Sequence, residues 1–549
     1  MSDHITPTSA TEAVEPPLKP EGEKMQDGVY VAEAVTRSWT KKSLIVIYIC
    51  LTANLSPYIT SDFEGHSLLT VIGTVTSIMS AACTMPVAKI LNLWDRTVGF
   101  MLMLLLSLIG LIMMAACKNL ATYCAAQVFY SVGSTGLIFA VDVLTSDTSS
   151  LQHRGLAFAF TSSPYIITAF AGSPLSEQFH ESDWRWAYGT VTILLAVVTT
   201  PLIITWLLAK KKAEENKVLE KITPERTWVE GIKYYLIEFD VIGILLLIAG
   251  FCLLLLPLTL ASSQADQWRT DYIIAMMVVG GVLVIAFALY ERFFAWKPFI
   301  PWRLLTSRTV LGACLLDVTY QIAYYCWASY FTSYLQVVYD VSITEAGYIA
   351  AIFDLVSPVC LLFVGWLMAA TKRFKWLLWW AVPLYMLAVG LMIYFRAPGR
   401  SVGFICLCEV LIGVGGGVMI LVQQVAVLAA SEHEDYAAML ALLSLFGNIG
   451  GAVGNSVSGA IWTNTLPRML QQYLPADAVD QWADIYDSLD LQLGYPVGSA
   501  ARDAIIQAYA MAQRNMLIAG TAIMALSLVW VFMIKNIRLV DPSLGGMLF

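Results

Sequence analysis

Fourteen long apolar stretches are the feature that most restricts how this chain can fold. Each has about 20 residues or more, which is the length an α-helix needs to cross the hydrocarbon layer of a bilayer. Only helices and closed barrels satisfy all their backbone hydrogen bonds in that layer, and uninterrupted apolar stretches of this length indicate helices. The predicted spans are residues 43–61, 67–90, 97–116, 120–143, 155–175, 186–208, 240–261, 271–291, 309–337, 343–370, 376–395, 401–429, 437–463 and 514–534.

The composition agrees with an all-α polytopic membrane protein. Of the 549 residues, 58% are hydrophobic and only 13% are charged, whereas a soluble domain carries about 25% charged residues. The net charge of −8 therefore gives no reason to expect a nucleic-acid partner. The first 38 residues are polar and rich in Glu, Pro and Thr, which predicts a disordered tail rather than a cleavable signal peptide.

Lys and Arg residues are distributed unevenly between the two sides of the predicted bundle. With both termini cytoplasmic, eight of the 32 fall outside, namely Lys118, Arg185, Arg269, Arg396, Arg400, Arg468, Arg502 and Arg514. This is the positive-inside pattern, and it supports an even number of spans. None of the 32 lies near the middle of the membrane in this arrangement, so we expect the buried carboxylates to have no buried cation as a partner.

The spacing of the spans predicts two six-helix halves with two additional helices between them. The predicted parts, in chain order, are a disordered cytoplasmic tail (1–38), an N-terminal six-helix bundle (39–209), a cytoplasmic connector (210–239), two extra helices with an inner loop (240–308), a C-terminal six-helix bundle (309–535) and a cytoplasmic tail (536–549).

A long outer loop, 464–513, belongs to the C-terminal bundle in this prediction. It carries Tyr473, Trp482, Tyr486 and Tyr495. Loops of this length are usually functional or disordered, and the aromatic residues argue against disorder.

One predicted span carries a regular pattern of aromatic residues. Side chains recur at steps of three and four in the series Asp317, Tyr320, Tyr324, Trp327, Phe331 and Tyr334. On one continuous helix they share a face that is roughly 25 Å long. Such a face lines a transport pathway, or it packs against lipid and neighbouring helices. The acid favours a pathway, because a carboxylate that faces lipid is costly.

Four carboxylates fall within the predicted spans: Asp142, Asp317, Asp354 and Glu409. An ionised carboxylate at the centre of a membrane helix costs about 3 kcal/mol, so each is expected to take up a proton readily. All four are candidates for proton coupling or gating. The alternative is hydrogen-bonded packing, and for Asp142, near the cytoplasmic end of its span, capping. The sequence does not say which one carries the proton.

Polar residues on other spans predict further parts of a cavity. The candidates are Asn54, Tyr58, Gln127, Ser131, Thr161, Tyr165, Asn448 and Asn455. Glycines surround the two asparagines, and there close helix packing is the favoured role. Tyr and Trp rings suit a bulky, largely neutral ligand. The absence of Lys and Arg from the middle of the spans argues against a strongly anionic ligand.

The cysteines do not predict a metal centre. All ten lie in or at the edges of apolar spans, where thiols usually act as small hydrophobic side chains. We expect no metal site and no cofactor, so any metal ion would have to arrive already chelated.

Two short inner loops, Ala88–Arg96 and Gly365–Lys375, occupy equivalent places in the two predicted halves. They resemble the signature of the major facilitator superfamily, which has a glycine followed by an acid four residues on, a glycine seven on and an arginine eight on. The first loop keeps Arg96, and the second keeps Gly365 and Arg373 but has Ala369 in place of the acid. Together with the span count, these loops favour that fold.

Longer runs resemble the fungal siderophore–iron transporters of this superfamily. They are residues 142–172, which include Arg154 in an inner loop, and residues 58–63, 334–348 and 495–499. One departure is Gln152-His153, where the family usually has Arg-Asn. The resemblance implies fourteen helices, proton symport and uptake of intact ferric siderophores, often hydroxamates. It also implies that the outer loop helps to capture the ligand, with Trp482, Tyr486 and Tyr495 as the candidates.

The sequence therefore predicts a monomeric, proton-coupled importer of a ferric siderophore in a fungal plasma membrane, with an endosomal or vesicular membrane as the alternative location. One rival is a fourteen-span drug/proton antiporter, whose Gly-Pro signature is only partly matched by Gly172-Ser-Pro174. Another is a membrane receptor that binds without transporting, for which the stretch after the last span is short. No nucleophile–base set or metal triad indicates an enzyme.

Overall fold

Helices account for all the regular secondary structure that a computed structural model shows for the described part of this chain. It describes residues 55–61, 63, 66–93, 96–215, 228–261, 267–297, 300, 302–432 and 435–539. The predicted tail 1–38 and residues 540–549 lie outside this part, as does most of the first predicted span. That span is described from residue 55 onward, as a helical segment at 55–61.

The helices fall into three consecutive groups. The first group is α1 (Leu69–Leu93), α2 (Arg96–Ala116), α3 (Leu120–Thr148), α4 (Arg154–Ser162), α5 (Pro164–Ser182) and α6 (Trp184–Glu215). The middle group is α7 (Trp228–Glu238), α8 (Val241–Leu255), α9 (Pro257–Leu260), α10 (Asp271–Phe293) and α11 (Trp302–Leu305).

The third group forms the C-terminal half. It consists of α12 (Arg308–Ala328), α13 (Phe331–Tyr339), α14 (Ile343–Ala350), α15 (Ile352–Thr371), α16 (Lys375–Phe395), α17 (Val402–Ala429), α18 (Tyr436–Tyr473), α19 (Trp482–Asp487), α20 (Leu489–Gly494), α21 (Ala500–Met524) and α22 (Ser527–Met533). Following the orientation predicted from Lys and Arg, we call the face that carries residues 474–499 the outer face and the opposite one the inner face.

Eleven helical stretches in the described residues are long and apolar enough to cross a membrane. Three predicted spans are not among them. Most of the predicted span 43–61 is not described. The predicted span 309–337 is broken into two helices. The predicted span 186–208 lies within the 32-residue helix α6, which is not counted among the eleven. The total of fourteen spans therefore remains a prediction.

Local capping explains where several helices begin and end. Asn119 accepts a hydrogen bond from the Thr122 backbone at 2.8 Å and begins α3. Ser342 and Glu345 form a reciprocal capping box that begins α14. Such side chains satisfy backbone N–H groups that have no partner within the helix. Asp340, with φ of 53°, adopts the left-handed conformation that ends α13.

The prediction of one continuous helix over 309–337 was wrong. The chain turns at Ser329 and Tyr330 between α12 and α13, and Tyr330 stacks on Trp462 with ring centroids 3.9 Å apart. The packing of this ring is a long-range contact, so a pattern of local spacing does not reveal it. The stripe of rings is therefore divided between two helices, although Trp327 and Phe331 still pack together with ring centroids 5.4 Å apart.

The prediction of a loop over 464–513 was also too long. Helix α18 continues to Tyr473, and α21 already begins at Ala500. Only residues 474–499 connect them, and these contain the short helices α19 and α20. We call residues 474–499 the outer segment.

The middle helix α8 packs along the line where the two halves meet, and α10 packs on α8. Ile78 of α1, Leu255 of α8 and Ala452 of α18 form a small buried cluster there. At the inner face, Lys89 of α1 donates to the Glu238 carbonyl at 2.6 Å. Lys297 forms an ion pair with the Glu238 carboxylate. The Lys89 contact thus joins the middle group to the N-terminal half, whereas the ion pair lies within the middle group itself.

A run of glycines brings α12 and α18 into backbone contact. A Cβ on Gly450 would lie 2.7 Å from the Val318 carbonyl oxygen and 2.9 Å from its Cα. Those are backbone atoms and cannot move aside, so glycine is required for this close approach. The sequence-based prediction of a packing role for these glycines agrees with this geometry.

Candidate functional site

A central cavity of about 500 Å³ lies between the N-terminal and C-terminal halves. This size falls in the range of about 300–1,000 Å³ that is typical of ligand sites. Polar side chains from the N-terminal half line it, including Ser56, Tyr123, Gln127, Tyr130 and Ser131. The C-terminal half contributes the aromatic side chains of Tyr324, Tyr325, Trp327 and Phe331, the acids Asp354 and Glu409, and the amides of Asn448 and Asn455.

Two of the four predicted carboxylates, Asp354 and Glu409, line this cavity. Asp354 lies in the first turn of α15, and Glu409 lies on α17 and is 1% exposed. The Oε1 atom of Glu409 has no hydrogen-bond partner among the described residues. A buried carboxylate oxygen without a partner is costly, and this makes Glu409 well suited to receive a proton.

Asp317 is buried but does not line the cavity. When the Gln423 amide is turned so that both of its atoms are satisfied, its nitrogen donates to Oδ1 of Asp317 at 3.1 Å and its oxygen accepts from the Asp317 backbone at 3.3 Å. These paired hydrogen bonds join α12 to α17. Packing accounts for this geometry better than a place on the pathway.

The aromatic stripe divides into residues that face the cavity and residues that lie behind it. Tyr324, Trp327 and Phe331 line the cavity. Tyr320 is 3% exposed and packs against Tyr385. Tyr334 is fully buried beside Tyr339. Only the middle part of the predicted stripe therefore lies in the cavity lining.

Arg396 contradicts the expectation that the buried carboxylates have no buried cation nearby. It lies just after the end of α16, is 2% exposed, and places its guanidinium 4.2 Å from the Phe331 ring centroid and 4.8 Å from that of Trp327. It is also close enough to Glu409 for the two charges to attract. The sequence predicts Arg396 at the outer side of the membrane, but it does not predict that the side chain is buried against the aromatic rings.

Polar residues on the N-terminal wall form a connected set. Tyr123 lies 3.1 Å from Ser56 and accepts a hydrogen bond from Gln127 at 2.9 Å. Ser131 lies 3.0 Å from Ser80 on the neighbouring helix. Gln127 and Ser131 were predicted from the sequence, whereas Tyr123 was not. Its spacing of four residues from Gln127 on a helix was the available signal.

The two asparagines of α18 also line the cavity. Asn455 accepts a hydrogen bond from Ser329 at 2.8 Å, and Asn448 donates to the Ser444 carbonyl at 2.8 Å. Both amides therefore keep hydrogen-bonding capacity for a ligand.

The halves contact each other on the outer side of the cavity. Tyr58 donates a hydrogen bond to Gln336, and Ser67 donates to Asp487 at 2.8 Å. The Leu489 backbone donates to Ser61 at 3.1 Å. Tyr58 thus belongs to an outer contact and is not part of the cavity lining.

The outer segment is ordered by its own contacts and by Arg502. Arg502 is fully buried and donates to the Gln492 carbonyl at 2.7 Å. Tyr495 donates to Gln481 at 3.2 Å, and Trp482 and Tyr486 are half-buried. Burial raises the pKa of the Tyr486 phenol well above its usual range, so it stays neutral. The three predicted capture residues therefore lie in a folded cover over the outer face.

The halves also meet on the inner side. A Cβ on Gly365 would lie 2.8 Å from the Leu156 Cα, and Gln152 donates to the Ala369 carbonyl at 3.1 Å. Arg154 is buried, donates to the Ser146 carbonyl at 3.1 Å, and lies 4.3 Å from the Tyr436 ring centroid. Arg154 therefore connects α4 to the start of α18.

The remaining predicted residues lie away from the cavity. Arg373 is exposed in the turn between α15 and α16, and Asp142 is half-buried toward the inner end of α3. Tyr165 and Thr161 flank the junction of α4 and α5. Arg96 begins α2, but its side chain is outside the described part, as is Asn54.

No group of three or more His, Cys, Asp or Glu side chains in the described ranges is arranged to hold a metal ion. Nine cysteines of that part are free thiols. The cavity instead combines rings, amides, hydroxyls and two acids, which are groups that bind an organic ligand by stacking and hydrogen bonding.

A family model described as Major Facilitator Superfamily matches residues 44–455 of the chain. Among curated proteins, the MFS siderochrome iron transporter D of Aspergillus fumigatus is 55% identical over 541 residues, covering 96% of this chain and 90% of that protein. The siderophore iron transporter mirB of Emericella nidulans is 47% identical with the same coverage.

Solved structures share the fold at low sequence identity. The human organic anion transporter MFSD10 aligns with a TM-score of 0.52 and 11% identity, covering 90% of this chain and 99% of that one. A bacterial homologue of the human lysosomal transporter Spinster, in an inward-facing and occupied conformation, aligns with a TM-score of 0.54 and 13% identity, covering 91% and 96%.

Proposed function

Because the chain belongs to the fungal siderophore–iron transporters of the major facilitator superfamily, we propose that it imports an intact ferric siderophore together with protons through the central cavity. The family makes it a multi-span membrane transporter of siderophore iron and not an enzyme, as the names of its relatives state. The fungal plasma membrane is the proposed location. The iron is cargo, held by the siderophore throughout.

The residues of the cavity wall are the main support for a ferric siderophore as the ligand. Three aromatic side chains, Tyr324, Trp327 and Phe331, offer flat apolar surfaces, and the amides of Asn448 and Asn455 lie in the same lining. Stacking on rings and hydrogen bonding to amides suit a bulky chelate that presents carbonyl and amide edges. No Lys or Arg is among the described residues that line the cavity.

The charge of the lining favours a hydroxamate complex over a catecholate complex. Three hydroxamate groups each lose one proton on binding Fe³⁺, so the iron centre of the complex is neutral. Three catecholates each lose two protons and leave that centre with three negative charges. Such an anion would meet Asp354 and Glu409 in the lining, whereas the buried cation Arg396 lies behind the Phe331 and Trp327 rings and not in the lining.

Proton coupling is proposed for Asp354 and Glu409, because they are the predicted acids that line the cavity. A carboxylate becomes cheaper to bury when it is protonated, so proton binding favours a state in which the acid is shielded from water. Each proton that enters along a membrane potential of 100 mV supplies about 2.3 kcal/mol. Import then follows from alternation between the outer contacts, at Tyr58 and Ser67, and the inner contacts, at Gln152 and Gly365.

The proposal predicts a strong preference for uncharged ferric complexes. In cells that lack other siderophore carriers, uptake of a radio-iron ferric trihydroxamate should exceed that of a ferric tricatecholate by at least about 100-fold, which corresponds to about 2.7 kcal/mol. The same cells without the carrier provide the background. Equal uptake of both complexes would contradict the hydroxamate assignment, and uptake of neither would contradict the proposed function itself.

A further inference from the structure

A second pocket of about 430 Å³ opens at the outer face between α16, α18 and α21. It shares no lining residue with the central cavity. Its walls are the turn after α16, the end of α18 and the first half of α21. The polar residues of its lining include Arg396, Arg400, Arg514, Tyr394 and Tyr473.

Three of these residues are arginines, and none is an acid. Arg396 is 2% exposed, donates to Gln513 at 3.0 Å, and has an Nε without a partner in the described part of the chain. Arg400 donates to the Tyr394 hydroxyl at 2.8 Å. No acid lies in this lining, so a bound anion would balance the charge of the arginines there.

The planar guanidinium group matches phosphate better than most other anions. Its N–H donors form a fork that can bind two phosphate oxygens at once. Tyr394 and Tyr473 in the same lining offer hydroxyl groups at the headgroup level, where aromatic side chains with a polar tip commonly lie.

The position of the pocket indicates that a lipid supplies the phosphate. It adjoins the last turn of α16, where a predicted span ends, so it lies at the depth of lipid headgroups. Apolar side chains nearby are exposed on the outside of the bundle, including Phe404 at 43% and Ile518 at 46%. Acyl chains would cover this surface while a headgroup occupied the pocket.

We propose that this pocket binds the phosphate of an anionic phospholipid, with Arg396 at its buried end and Arg400 and Arg514 at its exposed rim. Arg396 also stacks on Phe331 and Trp327, which line the central cavity on the other side. The bound lipid would therefore neutralise the charge directly behind the aromatic wall.

Lipid binding to the purified full-length chain in detergent tests this proposal. Native mass spectrometry would compare dioleoylphosphatidylglycerol with dioleoylphosphatidylcholine, and a melting assay with inorganic phosphate would test a soluble anion. We expect the double variant Arg400→Gln/Arg514→Gln to bind phosphatidylglycerol at least about tenfold more weakly than the wild type. Both residues are exposed, so melting without lipid should be unchanged.

The matched control is Arg269→Gln/Arg468→Gln, which removes two exposed arginines of the outer face that do not line the pocket. It should bind phosphatidylglycerol within about twofold of the wild type.

Equal loss in both double variants, or equal binding of the two lipids to the wild type, would overturn the proposal. Stabilisation by inorganic phosphate without binding of phosphatidylglycerol would overturn the lipid assignment and leave a soluble phosphate as the ligand. Siderophore uptake is not a readout here, so failure would not bear on the proposed function.

Discussion

Glu409→Gln is expected to lose proton-driven accumulation of ferric siderophore while it still binds and exchanges that ligand. Glutamine keeps the size and hydrogen-bonding capacity of glutamate but cannot gain or lose a proton. If one proton per ligand is uncoupled at 100 mV, the accumulation ratio should fall about 50-fold, the equivalent of about 2.3 kcal/mol. Asp354→Asn should behave in the same way, because both acids line one cavity. Uptake of a radio-iron trihydroxamate with and without a protonophore measures this.

Asp484→Asn is the matched control, because Asp484 is an exposed acid of the outer segment. It should accumulate the ligand as the wild type does. Asp317→Asn tests whether a buried acid outside the cavity lining also contributes to proton coupling. Asp317 is placed to hydrogen-bond with Gln423 and does not line the cavity. Its uptake should keep its sensitivity to a protonophore. Wild-type accumulation by both Glu409→Gln and Asp354→Asn, at equal surface expression, would remove these acids from the coupling step.

Cross-linking the outer contact is expected to stop uptake almost completely. The Ser67 hydroxyl and the Asp487 carboxylate lie 2.8 Å apart and join the N-terminal half to the outer segment. Ser67→Cys/Asp487→Cys, joined by a short reducible thiol cross-linker, would hold the outer side closed and bar the ligand from the cavity. We expect a loss of at least about tenfold that is reversed by a reductant.

The experiment requires a background in which the ten native cysteines have been replaced. The two single-cysteine variants, treated with the same reagent, show the effect of modification without a cross-link. If the cross-linked double variant takes up the ligand as fast as the reduced protein does, the outer contact does not have to open during transport.

The parts of this architecture that depend on local pattern were predictable from sequence. Apolar length predicts the spans, and the cost of burying a carboxylate in the membrane singles out the acids. Helical spacing identifies Tyr324, Trp327 and Phe331 as neighbours on one face. The all-helical fold of the major facilitator superfamily is confirmed by the family match and by the solved structures.

What the sequence did not predict depends on contacts between distant residues. The turn at Tyr330 accompanies stacking on Trp462, 132 positions away. Arg396 is buried because rings from α12 and α13 cover it. Nothing in the neighbouring sequence indicates that an arginine just past the end of a span is buried. Asp317 lies outside the cavity lining, where the amide of Gln423, on another helix, is placed to hydrogen-bond with it. Hydropathy and residue spacing describe one helix at a time, whereas each of these contacts joins residues from two different helices.

Proton movement in proteoliposomes tests most directly whether this chain is a siderophore–proton symporter. The purified protein would be reconstituted in liposomes that contain a pH-sensitive dye, and a ferric trihydroxamate would be added outside. We predict acidification of the lumen as the complex enters, and none with Glu409→Gln. The drug/proton antiporter predicts proton movement in the opposite direction to the ligand. Alkalinisation of the lumen, or entry of the ferric complex with no change in pH, would contradict the symport account.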